Sequence, residues 1–87
     1  MPLSRKVIVE EKVHIALDKL EQNAKDLLWE RFDALTTDPF SGTRLFGIYK
    51  GMYITEVFPF KVIYKIVENK NAVVVLELYR QTVVRVD

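Results

Sequence analysis

Cysteine is absent from this 87-residue chain, and histidine occurs once, at His14. The first absence excludes a disulfide framework and a thiolate-held metal. A single imidazole leaves no basis for a histidine-built metal site, so neither metal nor cofactor is expected. Glycine and proline are scarce, three of each, and no internal repeat, low-complexity segment or linker interrupts the chain. Long apolar runs are missing too: nothing approaches the ~20 residues of a membrane span. Met1 leads into Pro-Leu-Ser-Arg-Lys without an apolar stretch, which predicts a cytoplasmic chain with no leader and no membrane partner. A large excess of one charge is also lacking. The net charge is +1, whereas strong nucleic-acid binders neutralise many phosphates with a basic surplus; bulk charge argues against such a binder and leaves a local patch open.

What remains is globular in composition, 49% hydrophobic and 29% charged. A chain this short forms one domain over 1–87, burying roughly 60–65% of its unfolded surface. There is no room for a cleft between domains, so a site must lie on an open face or groove. The segment from Arg44 to Arg80 carries nearly all the strand-like sequence. Within it, Phe60, Val62, Tyr64 and Ile66 alternate with Lys61, Ile63, Lys65 and Val67, the period of a strand. The following Ala72–Tyr79 run is apolar on both sides apart from Glu77, as for a strand covered on both faces.

Read from the start, Val7-Ile8-Val9 predicts a short strand. Glu10 and Glu11 suit the first turn of a helix, where carboxylates meet the positive end of the dipole. Val13, Ala16, Leu17, Leu20, Ala24, Leu27, Leu28 and Leu35 form one apolar stripe at helical spacing, with Phe32 at its edge and Ile15 and Trp29 off it. The phase survives Glu21-Gln22-Asn23, so one long helix and two short ones fit alike; we expect two, turning near Asn23. Asp38-Pro39 stops the helix. Arg44 to Tyr49 predicts a strand, Lys50-Gly51 a turn, and Met52 to Phe58 another strand. Pro59 predicts a bend or bulge, and Glu68 to Asn71 a hairpin loop. Thr82 to Asp87 would fray or extend the last strand. The sum is an α+β two-layer sandwich: a short N-terminal strand, then two helices packed on a mainly antiparallel sheet of four to five strands.

Lys61 and Arg80 are the leading candidates for phosphate contact, since a hairpin around the polar loop brings them to one end of the sheet. Lys65 shares a face with Lys61. His14 reads as an ordinary boundary residue. Tyr49, Tyr53, Tyr64 and Tyr79 offer stacking surfaces, but Tyr64 and Tyr79 lie in apolar strands and read as packing. Glu77 is expected to meet a Lys or Arg across a strand pair or to face the open side of the sheet.

Several of these elements, in order, resemble the RelE/ParE family of bacterial and archaeal toxins. They are Asp38-Pro39-Phe40-Ser41-Gly42, Leu45-Phe46-Gly47, Gly51-Met52-Tyr53, Phe60-Lys61, Val62-Ile63-Tyr64 and Leu78-Tyr79-Arg80, preceded by a strand–helix–helix opening. The resemblance implies the toxin of a type II toxin–antitoxin pair, with a cognate antitoxin as partner. It implies either metal-independent endoribonuclease action on ribosome-bound mRNA, as in RelE-like members, or inhibition of DNA gyrase by binding, as in ParE-like ones; a non-toxic binding module is the third form. For cleavage, Lys61 and Arg80 are the implied catalytic groups; Arg44, Lys50 and Lys65 are further candidates for RNA or phosphate contact. The chain departs from the nuclease pattern at Lys61, where the family carries arginine and its bidentate fork. It departs again at Ile54, Thr55 and Glu56, where basic residues are common. Val83, Val84 and Val86 stand where nucleases of the family place a tyrosine or histidine.

Overall fold

The structure, a computed structural model, describes residues 5–81. Strand β1 (Lys6–Val9) leads into helix α1 (Glu11–Asp18) and helix α2 (Gln22–Thr37). Strands β2 (Thr43–Arg44), β3 (Met52–Val57), β4 (Phe60–Val67) and β5 (Ala72–Arg80) follow, with single 3₁₀ turns at Pro39–Ser41, Gly47–Tyr49 and Glu68–Lys70. The five strands form one sheet in the order β1-β5-β4-β3-β2. Neighbours pair antiparallel except β1, which runs parallel to β5. Among the described residues no helix is long and apolar enough to cross a membrane.

The chain forms two helices, but the break comes earlier than the turn expected near Asn23. Glu21, at φ −66° and ψ 155°, is the extended residue that starts α2, which places Asn23 inside the helix. No glycine or proline marks the break. Its effect is to reset the helical phase: α2 buries Leu28, Phe32 and Leu35, while Leu27, part of the continuous stripe, is 54% exposed. Phe32 thus belongs to the centre of the buried face, not its edge. Helix α2 ends at Thr37, just before Asp38-Pro39, as expected.

The predicted strand Arg44–Tyr49 is mostly absent. Pairing with β3 covers Thr43 and Arg44, and then Gly47 adopts φ +69°. Tyr49 N–H donates to the Phe46 carbonyl and Lys50 N–H to that of Gly47, closing a turn where a ladder was expected. Phe46 and Ile48 are left exposed on it. Phe58-Pro59, joined by a cis peptide, forms the two-residue loop between β3 and β4. Pro59 thus stands at a tight bend, as expected, and a further irregularity falls in β5. There Ile63 pairs with Glu77 but Tyr64 with Val75, leaving Leu76 without an opposite number.

Two apolar clusters join the layers. One unites Val13 and Leu17 of α1, Leu28 and Phe32 of α2, and Phe60, Val62 and Val75 of the sheet. The other holds Leu35, Tyr64 and Val73, with Tyr53 and Ile66 packed against it. Together they cover one face of the sheet. Among the described residues the other face is free of α-helices.

Candidate functional site

The helix-free face is built in rows across the strands, because residues opposite one another on paired strands project to the same side. One row is Glu56 of β3, Lys61 of β4 and Tyr79 of β5; the next is Thr43, Ile54, Ile63 and Glu77. A third joins Met52, Lys65 and Val74, and continues to Ile8 of β1. Leu45 and Tyr49 arch over the middle row, enclosing with Ile54, Ile63, Glu77 and Tyr79 a shallow cavity of about 440 Å³. That cover explains why Ile63, on the helix-free side, is only 8% exposed.

The face therefore has an apolar floor and a mixed polar rim. Lys61 Nζ lies 4.0 Å from a Glu56 carboxylate oxygen. Glu77 accepts a 2.6 Å hydrogen bond from Lys12 Nζ, which reaches round from α1. That bond raises the Lys12 pKa above its ordinary value, with desolvation opposing it and the charges of Glu77 and Glu10 adding to it. Glu77 faces the open side, as expected, but its cation comes from α1; across the strand pair it meets Ile63. On this face a carboxylate (Glu77), a phenol (Tyr79) and an ammonium (Lys61) occupy neighbouring strand positions. These are the group types that general acid–base work and charge stabilisation require.

The sequence candidates are only partly brought together. Lys61 and Lys65 lie on the open face, two residues either side of Ile63. Arg80 pairs with Phe60, not with Lys61, and its guanidinium sits 5.2 Å over the Phe60 ring on the helix side. Arg44 pairs with Tyr53, whose ring packs on the helix side against Tyr64. Lys50 is exposed in the turn before β3. Lys61 and Arg80 share an end of the sheet, as expected, but on opposite faces. The cause is Leu76. In the unbroken hairpin the register Val67–Ala72 places Lys61 and Arg80 on one side; the extra residue inverts β5 beyond Val75. The inversion moves Leu78 into the core and Glu77 and Tyr79 out of it. The pairing of Tyr79 with Lys61 is the feature that sequence reasoning missed, and only the register reveals it. Val83, Val84 and Val86 lie outside the described residues.

His14 meets Trp29 in a tilted ring contact, 6.0 Å between centroids at 44°, and both residues are exposed on the helices. Tyr64 is buried, as its apolar strand suggested. Its hydroxyl donates to the Pro39 carbonyl at 2.7 Å and accepts from Gly42 N–H at 3.1 Å. Burial pushes its pKa up, against the lowering effect of the Gly42 bond. Tyr64 thereby ties the loop that launches β2 to the centre of the sheet.

A strand, two helices and an antiparallel meander with one helix-free face is the fold of the RelE toxins. Its solved counterparts include a chain of the RelBE2 toxin–antitoxin complex from Mycobacterium tuberculosis, with TM-score 0.83 and 19% identity over 93% of this chain and 95% of that one. The isolated E. coli RelE toxin matches with TM-score 0.80 and 14% identity, covering 93% and 88%. A chain of the archaeal RelE–RelB complex from Pyrococcus horikoshii matches with TM-score 0.77 and 22% identity, covering 91% and 97%. At such identities the likeness is one of fold. No family model matches the chain, and no curated protein matches its sequence.

Proposed function

We propose that this chain is the toxin of a type II toxin–antitoxin pair, active through its helix-free face and neutralised by a cognate antitoxin. The observation that carries the reading is the end-to-end likeness to RelE toxins, including chains solved within RelE–RelB assemblies. The ordered motifs from Asp38 to Arg80 support it independently.

The reaction proposed at that face is metal-independent RNA cleavage. The Glu77 carboxylate would accept the proton of a 2′-hydroxyl once Lys12 swings away. The Lys61 ammonium, with Lys65 beside it, would stabilise the charge that develops on phosphorus oxygens, and Tyr79 would protonate the departing 5′-oxygen. Arg80, on the far side of the sheet, takes no part. A second reading, a macromolecular target such as gyrase held without bond cleavage, is favoured by the floor of Ile54 and Ile63. The balance of Lys61 and Lys65 against Glu56 and Glu77 favours it as well.

Tightly controlled expression followed by primer extension on translated mRNA separates the two. Cleavage predicts growth arrest with discrete cuts that Lys61→Ala and Tyr79→Phe each reduce at least tenfold, whereas Arg80→Ala spares them. Growth arrest without cuts, unchanged by Lys61→Ala, selects the binding reading. Unimpaired growth removes the toxin assignment itself.

A further inference from the structure

We propose that β1 is the contact strand of a symmetric homodimer in which two sheets join edge to edge. Among the described residues β1 is a terminal strand of the sheet, paired only with β5. Lys6 N–H donates to Asn71 O and Glu10 N–H to Val75 O, so the even-numbered residues of β1 turn their backbone groups towards β5. In a parallel pair with that phase, the N–H and C=O of Val7 and Val9 point outward from the edge. Among the described residues nothing fills the ladder they offer.

The residues of the strand specify a partner. Reading outward from Ile8, Val7 stands against Val9 and Lys6 against Glu10. Two copies laid antiparallel about Ile8 therefore place Val7 opposite Val9 of the partner subunit and Lys6 opposite the partner's Glu10, each twice. The backbone agrees with this register. Ile8 against the partner's Ile8 is a pair without hydrogen bonds, while Val7 and Val9 exchange N–H···O bonds with the partner's Val9 and Val7. Ile8, 38% exposed on the open face, is covered by its own counterpart at the close spacing of such pairs. Lys6 and Glu10 are exposed, and neither forms an ion pair among the described residues. Arg5, the other base at this end, is already committed to Glu68 at 3.2 Å. A second copy of this chain thus satisfies the hydrogen bonds, the exposed apolar side chain and both charges in one register. A contact of five residues from each copy gives a weak dimer, seen at high protein concentration.

The test is sedimentation velocity of the full chain over a concentration series, on the parent and on Lys6→Glu and Glu10→Lys. Both substitutions fall on exposed side chains, and circular dichroism checks that each variant folds. The parent is expected to dimerise. Each variant alone sets like charges opposite one another twice and should raise the dissociation constant about tenfold or more. An equimolar mixture of the two variants should recover the parent's dimer, because opposite charges then meet again at both ends of the paired strands. A parent that stays monomeric across the series overturns the proposal. So does a dimer indifferent to the two charges, which would seat the contact elsewhere, as on Phe46 and Ile48. Neither result bears on toxicity.

Discussion

Tyr64 is the side chain on which most local geometry converges. Its ring fills the second core cluster and its hydroxyl joins Pro39 and Gly42. Removing that hydroxyl leaves a buried carbonyl and a buried N–H without partners, so Tyr64→Phe should cost about 2 kcal/mol in denaturant unfolding. Gly42 is dictated by space, not by backbone conformation. A Cβ there would press on the Tyr64 hydroxyl and stand 2.9 Å from the Ile54 carbonyl. Gly42→Ala should therefore destabilise by about 1–3 kcal/mol. The double variant should lose less than the sum, because Tyr64→Phe removes one of the two obstacles. The same burial sets an alkaline limit. The folded chain holds the Tyr64 proton above the pH at which an unfolded tyrosine releases it, near 10.0. Its contribution is complete below that value and is lost as pH climbs through the higher folded pKa. Melting temperature should fall more steeply as pH rises above about 10 in the parent than in Tyr64→Phe.

Among the elements, the helices were legible from apolar spacing, and their junction was not. The break at Lys19–Glu21 carries no glycine or proline, so nothing in composition interrupts the stripe. At the end of α1 the Lys19 and Leu20 N–H groups turn to the Ala16 and Leu17 carbonyls, a tightened last turn that any side chain can adopt. The reset phase makes a direct prediction. Leu28→Ala, in the core, should cost about 3 kcal/mol, and Leu27→Ala, one position away and exposed, below about 1 kcal/mol. Equal costs would mean that one continuous stripe is buried after all. The strands fared similarly. β3, β4 and the polar loop before β5 follow from alternation and turn residues. Arg44–Tyr49 reads as strand because Leu, Phe, Ile and Tyr favour pleated surfaces. The left-handed Gly47 turns the chain away after two paired residues.

For the molecule as a whole, the question is which charged groups act together. A site at the end of the sheet built from Lys61 and Arg80 predicts that the two alanine variants behave alike in any functional assay. The observed faces predict that they differ. Lys61→Ala should change what happens on the open face, and Arg80→Ala should change chiefly stability, by no more than about 1 kcal/mol through the exposed cation–π contact with Phe60. Thermal unfolding beside the primer-extension assay reads both effects in one set of samples.

The residues alone were enough to predict a small α+β sandwich and its antiparallel hairpins, and to show a resemblance in motif order to the RelE/ParE toxins. These depend on local signals: period 2 in Phe60–Val67, period 3.6 in Val13–Leu35, and turn residues between them. Which side chains share a surface was decided by the assembled sheet. Ala72–Leu76 is apolar at every position, so no residue in it declares itself the unpaired one. Because a strand alternates, one unpaired residue is enough to exchange the faces of everything beyond it. Packing chose Leu76, and that choice set Tyr79 beside Lys61 and sent Arg80 to the other side.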